Sequence, residues 1–253
     1  MLLSHRGSKR FSRAALDVFN SQDHWLAITG EGSPLRGPGV VYTVPQERSP
    51  VHTASHTGAM VRLAQLAVAL GSPPWKTELA RVPDAIRVAL SLRPQVIQAL
   101  DRLHLGRVVH FVGGGPAYAT ALEGALKVRE AAYVSAEGHE LESILHGPLI
   151  SLQAEDSVVM VAQPGAALER TAELAAALHE IGVATVAVGA SAASLSATTV
   201  RLETPAIDEL LAPIVNVVPL QWLALEVSRR LGVDADSFRK DGRYAAAQTK
   251  FSL

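Results

Sequence analysis

Residues 107–148 read RVVHFVGGGPAYATALEGALKVREAAYVSAEGHELESILHGP, and this stretch decides the fold prediction. The apolar run Val108–Val112 predicts a strand, and the three glycines at 113–115 predict a tight turn. The segment 121–133, ALEGALKVREAAY, then predicts a helix. A strand, a glycine turn and a helix in this order form one βα unit of a parallel sheet, and the tripeptide His146-Gly147-Pro148 follows it.

The predicted helix carries three charged side chains on one side. At about 100° per residue, Glu123, Lys127 and Glu130 project from nearly the same face and stack over two turns. Two carboxylates beside an ammonium can move a proton and stabilise an enediolate. Ordinary charge pairing on a helix surface uses the same spacing and stays open as the alternative.

The glycine turn predicts an anion site better than it predicts a dinucleotide site. A helix that starts directly after such a turn leaves amides free, and a phosphate can rest against them. The glycines at 113–115 with Gly124 do not fit the G-x-G-x-x-G pattern well. No acidic residue stands at a suitable strand end about 20 residues further on.

Composition excludes several classes of function. The chain has 253 residues, 48% hydrophobic and 19% charged, so it can bury a large core as one domain or as two halves that share a sheet. A formal net charge of −1 leaves no basic surface for nucleic acid. The apolar runs are shorter than the ~18 residues that span a bilayer, and no signal-peptide pattern is present, so we expect no membrane partner and a cytoplasmic location. The absence of cysteine excludes disulfides, thiolate metal sites and a cysteine nucleophile.

An internal repeat extends the fold prediction over most of the chain. Residues 8–71 and 166–232 share the order helix, strand, glycine, strand, proline, helix. The predicted elements are helix 8–20, strand 25–29, strand 40–44 and helix 53–70 in the first copy, and helix 166–181, strand 183–188, strand 199–203 and helix 212–231 in the second. Short β-branched strands that alternate with helices predict an α/β fold with doubly wound parallel sheets.

The two copies differ in what precedes them. The second follows a further strand, turn and helix over 107–162, whereas the first begins almost at Met1, so internal symmetry implies that about 55 residues of the first half are missing. Either the native start lies upstream or the chain is a genuine fragment. The predicted organisation is an N-terminally truncated first half (1–71), connecting helices broken near Ser91-Leu92-Arg93-Pro94 (72–106), a second half (107–232) and a C-terminal tail (233–253).

Five short motifs follow one another in a defined order. They are ALEGALKVRE, Ala136-Glu137, His146-Gly147-Pro148, Ala212-Pro213-Ile214 and Val218-Pro219-Leu220-Gln221. In this order they resemble the sugar isomerase (SIS) family, and within it the isomerase domains of glucosamine-6-phosphate synthases. The resemblance covers nearly the whole chain and implies tandem flavodoxin-like halves. It also implies that the glutaminase domain of those synthases is absent from this chain.

The resemblance implies catalytic roles for four residues of the second half. Glu130 matches the proton-shuttling glutamate of the family, and Glu123 and Lys127 match its partners on the helix. His146 matches the histidine that promotes ring opening and that reaches the active site of the neighbouring subunit, which implies a homodimer. The implied chemistry needs no cofactor. Taken alone, His146 before a glycine and a proline is also expected simply to end a helix.

A segment near the start of the chain occupies the place of the family's phosphate loop. Ser4-His5-Arg6-Gly7-Ser8-Lys9 stands where the family carries Ser-x-Ser-Gly-x-Thr. Arg6 replaces the second serine and Lys9 the threonine, and both cations can hold a phosphate. The phosphate candidates are therefore Ser4, Arg6, Ser8 and Lys9, with a frayed basic N-terminus as the alternative.

A second segment follows the same logic at a predicted helix start. Val51 and Thr53 fall on two positions of a Val-Ala-Ser-Thr segment that contacts substrate in the family. Hydroxyl residues before a helix are also common N-caps. Both roles are open together, because a cap and an anion site use the same free amides.

The tail departs most from the synthases that the chain resembles. They end in Pro-Arg-Asn-Leu-Ala-Lys, whose lysine forms a Schiff base with the open-chain ketose, whereas Ala247-Gln248-Thr249-Lys250 follows a longer insert here. Lys250 is the candidate counterpart, and a solvated tail lysine is the alternative. The pairs Phe238-Arg239 and Arg243-Tyr244 look more like deglycase members of the family. Amine chemistry therefore stays open in both directions.

The second half contains three residues whose side chains are able to bind a metal ion. His139, Glu142 and His146 have the i, i+3 and i+7 spacing that can share a helix face. The spacing is not the H-E-x-x-H pattern, and the chemistry of the family that the chain resembles needs no metal. We predict a polar face that is solvated or faces substrate, and no metal.

Three functions remain open on the sequence. The favoured one is an enzyme that takes a hexose 6-phosphate or its amino derivative and moves a proton between C1 and C2, as an isomerase, aminotransferase, deaminase or deglycase. The second is a non-catalytic sugar-phosphate sensor. The presence of Glu123, Lys127, Glu130 and His146 argues against it, because a sensor does not need catalytic residues. The third is an inactive truncated fragment.

Overall fold

Two sheets, each in its own unit, organise the chain. The computed structural model describes residues 1–19, 24–71, 74–239 and 241–251. One unit comprises Met1–Ser72 with Asp236–Leu253, and the other comprises Pro73–Ala235. Within the described residues, all strand pairs in both sheets are parallel. The predicted α/β class with parallel sheets is therefore confirmed.

The first unit has a three-stranded sheet in the order β1-β2-β3. Its elements along the chain are β1 (Leu2–Leu3), α1 (Arg10–Phe19), β2 (Ala27–Glu31), β3 (Val40–Pro45) and α2 (Ala54–Ala69). The two helices and two strands of the predicted first copy are confirmed, with limits that move by up to two residues. The short strand β1 was not predicted, because two residues are too few to show a period.

The second unit has a five-stranded sheet in the order β5-β4-β6-β7-β8. Its elements are α3 (Pro74–Ser91), α4 (Arg93–Leu100), β4 (Val109–Gly113), α5 (Ala117–Ala132), β5 (Ala136–Glu140), α6 (Leu141–Leu145), β6 (Ser157–Val161), α7 (Leu168–Ile181), β7 (Ala184–Val188), β8 (Val200–Leu202) and α8 (Ala212–Arg230), with short 3-10 turns at Pro148–Ser151 and Ala192–Ser194. A last helix, α9 (Gly242–Gln248), is grouped with the first unit. None of the helices that the structure describes is both long and apolar enough to cross a membrane.

The two predicted connecting helices pack within the second unit. They are α3 and α4, and the break between them falls at Leu92, inside the predicted Ser91–Pro94 stretch. Both helices contact α8. Arg93 shows how: its Nε donates a hydrogen bond of 2.9 Å to Glu226 Oε1, and its guanidinium lies 5.1 Å from the ring centre of Trp222. The connecting segment is therefore part of the layer that covers the sheet.

The sequence pattern does not predict the strand β5, and its presence overturns the prediction of a shared helix face. Its residues are mostly polar, because β5 lies at the edge of the sheet and pairs only with β4. Backbone hydrogen bonds, which carry no side-chain signature, define such a strand. The prediction that His139, Glu142 and His146 share a helix face is wrong: His139 lies on β5, and a new helix, α6, begins at Leu141.

A close approach of α5 to the sheet positions the charged helix. A Cβ added at Gly124 would lie 2.7 Å from Phe111 Cδ1 and 2.8 Å from Leu220 Cδ1, so only glycine fits between β4 and α8. The neighbouring Val112 points the other way, into a core formed with α6 and α7. Helices thus cover both faces of the sheet, and α5 starts beside the carboxyl end of β4, where the strand order reverses.

Candidate functional site

Lys127 lies on α5 between two carboxylates. Its Nζ is 3.6 Å from Glu123 Oε1 and donates a hydrogen bond to Glu130 Oε2. Lys127 is 3% exposed and Glu123 is 8% exposed, while the side chain of Glu130 is 27% exposed. The prediction that the three groups share a face is confirmed. Surface charge pairing does not describe them, because a buried ammonium needs carboxylates beside it to remain charged.

Burial gives the deepest carboxyl of this triad an unusual acidity. Removal from water raises the pKa of Glu123 to about 7; the Lys127 ammonium opposes the shift and repulsion from Glu130 adds to it. A carboxyl with such a pKa can both give and accept a proton near neutral pH. The arrangement therefore places a proton-exchanging group, an ammonium and a partly exposed carboxylate in a row along one helix.

The glycine turn before α5 is tighter than an open anion cradle. Gly115 has φ +56°, and the N–H groups of Ala117 and Tyr118 donate to the carbonyl oxygens of Gly114 and Gly115 at 3.2 and 3.1 Å. A Cβ at Gly114 would lie 2.6 Å from the Cβ of Ala167, which accounts for the glycine there. The two amides are engaged by the turn, so the expectation of free amides does not hold for them.

His146 ends α6, as its position before glycine and proline predicts. The helix is held at its start by Glu140, whose Oε2 accepts the N–H groups of Glu142 and Ser143 at 2.8 and 3.1 Å. The His146 side chain is 75% exposed, and its Nε2 lies 3.3 Å from Glu142 Oε2. Arg170 Nε donates to the other oxygen of Glu142 at 2.7 Å. The chain thus presents the His146 imidazole at its own surface, and the described partner of this imidazole is Glu142.

The structure brings His139 together with His110, which the sequence analysis did not single out, and with Glu137, which it named only as part of a motif. His139 Nε2 lies 3.0 Å from His110 Nδ1 on β4, and Glu137 Oε2 lies 3.5 Å from that Nε2 and 4.0 Å from that Nδ1. Burial lowers the pKa of both histidines. The signal was present as Glu137-x-His139, an alternation that places two side chains on one face of a strand once β5 is recognised.

The predicted phosphate candidates lie on the loop between β1 and α1. Ser4 Oγ accepts the N–H of Gly7 at 3.2 Å and lies 2.8 Å from Ser12 Oγ, while Thr29 Oγ1 donates to the Ser4 carbonyl oxygen at 2.7 Å. Gly7 has φ +64°, which a tight turn requires here. Hydrogen bonds therefore shape this loop, unlike a frayed terminus. Its three other candidates, Arg6, Ser8 and Lys9, are exposed.

A carboxylate caps the start of α2, where substrate contacts were predicted. Glu47 Oε1 accepts the N–H groups of Thr53 and Ala54 and the Thr53 hydroxyl at 3.0–3.1 Å, and Glu47 Oε2 accepts the N–H of Ser55 at 2.8 Å. Burial alone would raise the pKa of Glu47, but hydrogen bonds from the Ser55 side chain and from the amides of Thr53, Ser55 and Ala54 outweigh it and lower the pKa to about 2. Val51 is buried. The amides expected to be free for a substrate thus hold a protein carboxylate instead.

The tail places its candidate lysine at the surface. Lys250 follows α9, is exposed, and donates its backbone N–H to the carbonyl oxygen of Ala247 at 3.0 Å. Of the two aromatic-arginine pairs noted in the sequence, each contributes one partner to a cation–π contact, in which the Arg239 guanidinium lies 4.6 Å from the ring centre of Tyr244. This contact folds the tail on itself.

Comparison with known proteins finds a matching family model over part of the chain. Residues 106–228 match the family model of the SIS domain. The glutamine-fructose-6-phosphate aminotransferase (isomerizing) of Methanothermobacter thermautotrophicus is 29% identical over 247 residues, which are 93% of this chain and 41% of that protein. The chain thus spans less than half the length of this curated relative.

Two solved structures share the fold. The C-terminal domain of glucosamine-fructose-6-phosphate aminotransferase from Francisella tularensis superposes with a TM-score of 0.78 at 22% identity, covering 93% of this chain and 71% of that one. Glucosamine-6-phosphate deaminase from Thermotoga maritima superposes with a TM-score of 0.74 at 20% identity, covering 94% of this chain and 72% of that one. At these identities the likeness is one of fold.

Replacing Glu123 by glutamine is expected to remove a pH-dependent loss of stability. An unfolded glutamate ionises near pH 4.5, whereas folded Glu123 keeps its proton up to about pH 7. Between these values the folded state binds more protons than the unfolded state, so the free energy of unfolding falls as pH rises, on the order of 3 kcal/mol in total. In Glu123→Gln this fall disappears, and urea unfolding across the same pH interval measures it.

Glu155→Gln is the matched control, because Glu155 is an exposed carboxylate in the turn before β6. Its pH profile is expected to follow the wild type. Parallel profiles for Glu123→Gln and the wild type would show that burial does not shift the acidity of Glu123.

Proposed function

Because the chain is a SIS domain protein, we propose that it binds a phosphorylated hexose or amino-hexose and moves a proton between C1 and C2 of the open-chain sugar. The observation that carries the proposal is the buried row of Glu123, Lys127 and Glu130 on α5. The similar proteins, an isomerizing aminotransferase and a deaminase, support the class of phosphorylated amino sugars. The proposed enzyme is of the isomerase, aminotransferase, deaminase or deglycase type.

The proposed chemistry assigns one role to each member of the row. Glu130 has the most exposed side chain of the three and takes the proton from one sugar carbon and returns it to the next. Lys127 stabilises the negative charge that develops on the enediolate oxygens. Glu123 lies behind Lys127, and because its pKa is about 7, it gains or loses a proton near neutral pH and so adjusts the charge around the ammonium.

We assign phosphate binding to the loop of Ser4, Arg6, Ser8 and Lys9 in the first unit. The loop presents a guanidinium, an ammonium and a hydroxyl to solvent directly before α1. These groups form charge-assisted hydrogen bonds with phosphate, and the amides at the start of a helix add to them. The start of α2, with Val51 and Thr53, is less suited, because Glu47 occupies its amides. In the aminotransferase form of the reaction, Lys250 is the lysine that forms a Schiff base with the open-chain ketose. Its exposed position leaves it accessible to a sugar.

We further propose that a second copy of the chain uses His146. Its imidazole is 75% exposed, and Ile150, four residues on, is 95% exposed. In the SIS enzymes that the chain resembles, the matching histidine reaches the active site of the neighbouring subunit, and an exposed imidazole is available for such a contact. In a symmetric dimer the same patch is donated by both subunits, so each His146 serves the α5 row of its partner.

Sugar phosphates are expected to raise the melting temperature more than inorganic phosphate does. A ligand that binds only the folded state raises the free energy of unfolding by about 2.7 kcal/mol at a hundredfold excess over its Kd. Differential scanning fluorimetry with fructose 6-phosphate, glucosamine 6-phosphate, unphosphorylated fructose and phosphate measures this. Lys9→Gln is expected to weaken sugar-phosphate binding roughly tenfold, because one charge-assisted hydrogen bond is lost.

Arg13→Gln is the control for charge, since Arg13 is an exposed cation one turn further along α1. Its titration is expected to match the wild type. Equal binding by Lys9→Gln and the wild type would remove the loop from the proposal. A protein that no sugar phosphate stabilises would contradict the proposed function itself.

Glu130→Gln is expected to lower the proton-transfer rate by roughly 10²–10⁴-fold, because the general base is lost while the shape of the side chain is kept. Solvent deuterium that enters C1 of fructose 6-phosphate, or C2 of the aldose 6-phosphate formed from it, reports this step and is followed by NMR. The thermal shift with sugar phosphate is expected to persist in the variant. Glu155→Gln serves as the control, and deuterium exchange at the wild-type rate in Glu130→Gln would exclude Glu130 as the base.

Mixing two inactive variants is expected to restore activity if His146 acts on its partner's site. In a heterodimer of Glu130→Gln and His146→Ala, one of the two sites combines an intact Glu130 with an intact His146. Random reassociation then gives roughly a quarter of the wild-type rate. Deuterium exchange measured after co-refolding tests this, with each variant refolded alone as the control. No recovery, in a mixture that chromatography shows to be dimeric, would place His146 in its own subunit's chemistry or outside it.

A further inference from the structure

The cluster of His110, Glu137 and His139 lies on two neighbouring strands of the second unit. In the parallel register of β4 and β5, His110 is opposite Glu137, and His139 is two residues further along β5. Residues that are opposite, or two apart, point to the same face of a sheet. We propose that these three side chains form a binding site for a divalent transition-metal ion of the zinc class.

The spacing of the donor atoms fits one ion. Zinc binds nitrogen and oxygen ligands at about 2.0–2.1 Å in a tetrahedron, which separates neighbouring ligand atoms by about 3.3 Å. The two ring nitrogens, His110 Nδ1 and His139 Nε2, are 3.0 Å apart, and Glu137 Oε2 lies 4.0 Å from His110 Nδ1 and 3.5 Å from His139 Nε2. The longest separation involves the flexible glutamate, which can close on an ion by side-chain rotation.

The chemistry of the donors also favours an ion over a simple hydrogen bond. A single proton between the two rings accounts for the 3.0 Å separation, but it leaves the Glu137 carboxylate at distances to both nitrogens that are too long for good hydrogen bonds. Two imidazoles and one carboxylate are ligands that zinc accepts, and three protein ligands leave a fourth position for water.

The site is separate from the proposed proton-transfer row. Phe111 faces α5, as its approach to Gly124 shows, whereas Val112 packs with α6 and α7. His110 is one residue from Phe111 and two from Val112, so it lies on the face opposite α5. An ion there acts as a clamp between β4 and the edge strand β5. The end of β5 is Glu140, which caps α6, so the clamp also fixes the helix that carries His146.

A second group of the same residue types provides a contrast. His5, Glu47 and His52 in the first unit also place their ligand atoms close together. There, however, the carboxylate oxygens of Glu47 already accept four hydrogen bonds at the start of α2. A metal ion would compete with them, so we assign no site to that group and use it as a control.

The test titrates tag-free, metal-free protein with Zn²⁺ against a chromogenic chelator and records the visible spectrum with Co²⁺. The wild type is expected to bind one ion at this site and to give the strong visible bands of tetrahedral Co²⁺. Loss of an outer-shell partner costs roughly 10–100-fold in metal affinity, so loss of a ligand in His139→Gln or Glu137→Gln is expected to cost at least that much. Glu137 is 61% exposed at its side chain, so Glu137→Gln keeps the fold even if His139→Gln does not.

Glu155→Gln and His52→Gln are the matched controls, and both are expected to keep the wild-type affinity. The Zn²⁺-dependent rise in melting temperature is expected in the wild type and in both controls, and to be lost in Glu137→Gln. Wild-type protein that does not bind Zn²⁺, or Glu137→Gln that binds it with unchanged affinity, would overturn the proposal. Loss of binding in His52→Gln alone would also overturn it, since the ion would then belong to the first unit.

Discussion

The burial of one ammonium group constrains the second unit. Lys127 is 3% exposed, and a lysine at this depth is stable only where carboxylates compensate its charge. Glu123 and Glu130 provide them from the adjacent turns of the same helix, so the charge of Lys127 is compensated within α5 itself. Gly124 fixes the depth of the helix, because no side chain fits between it and the sheet at that point. The packing of α5 against the sheet at Gly124 thus fixes the depth of the three charged side chains.

The two carboxyl groups beside Lys127 differ in burial and therefore in acidity. Glu123 is buried and its pKa rises to about 7, whereas Glu130 keeps a quarter of its side chain in contact with solvent. The same helix therefore offers one carboxyl that exchanges its proton near neutral pH and another that an incoming molecule can reach. The loop before α1 carries exposed cations on an ordered backbone. Hydrogen bonds to Thr29 and within the loop hold that backbone in place.

The two faces of the second sheet carry different chemistry. The row on α5 lies on one face, and the cluster of His110, Glu137 and His139 lies on the other, beside the core of α6 and α7. Edge strands are exposed to unwanted pairing, and polar side chains on β5 reduce that risk. The same polar residues leave β5 with little apolar packing of its own, so the contacts among the cluster contribute to holding it against β4.

The sequence by itself determined the parallel α/β class, the limits of most helices and strands, and the shared face of Glu123, Lys127 and Glu130. These features depend on periodicity within a few residues, which is local information. Only the tertiary structure decided how deeply Lys127 is buried, that Glu47 caps α2, and that His139 pairs with His110 on a strand instead of with Glu142 on a helix. Burial and the register between strands join residues far apart in the chain, and a local pattern does not contain them.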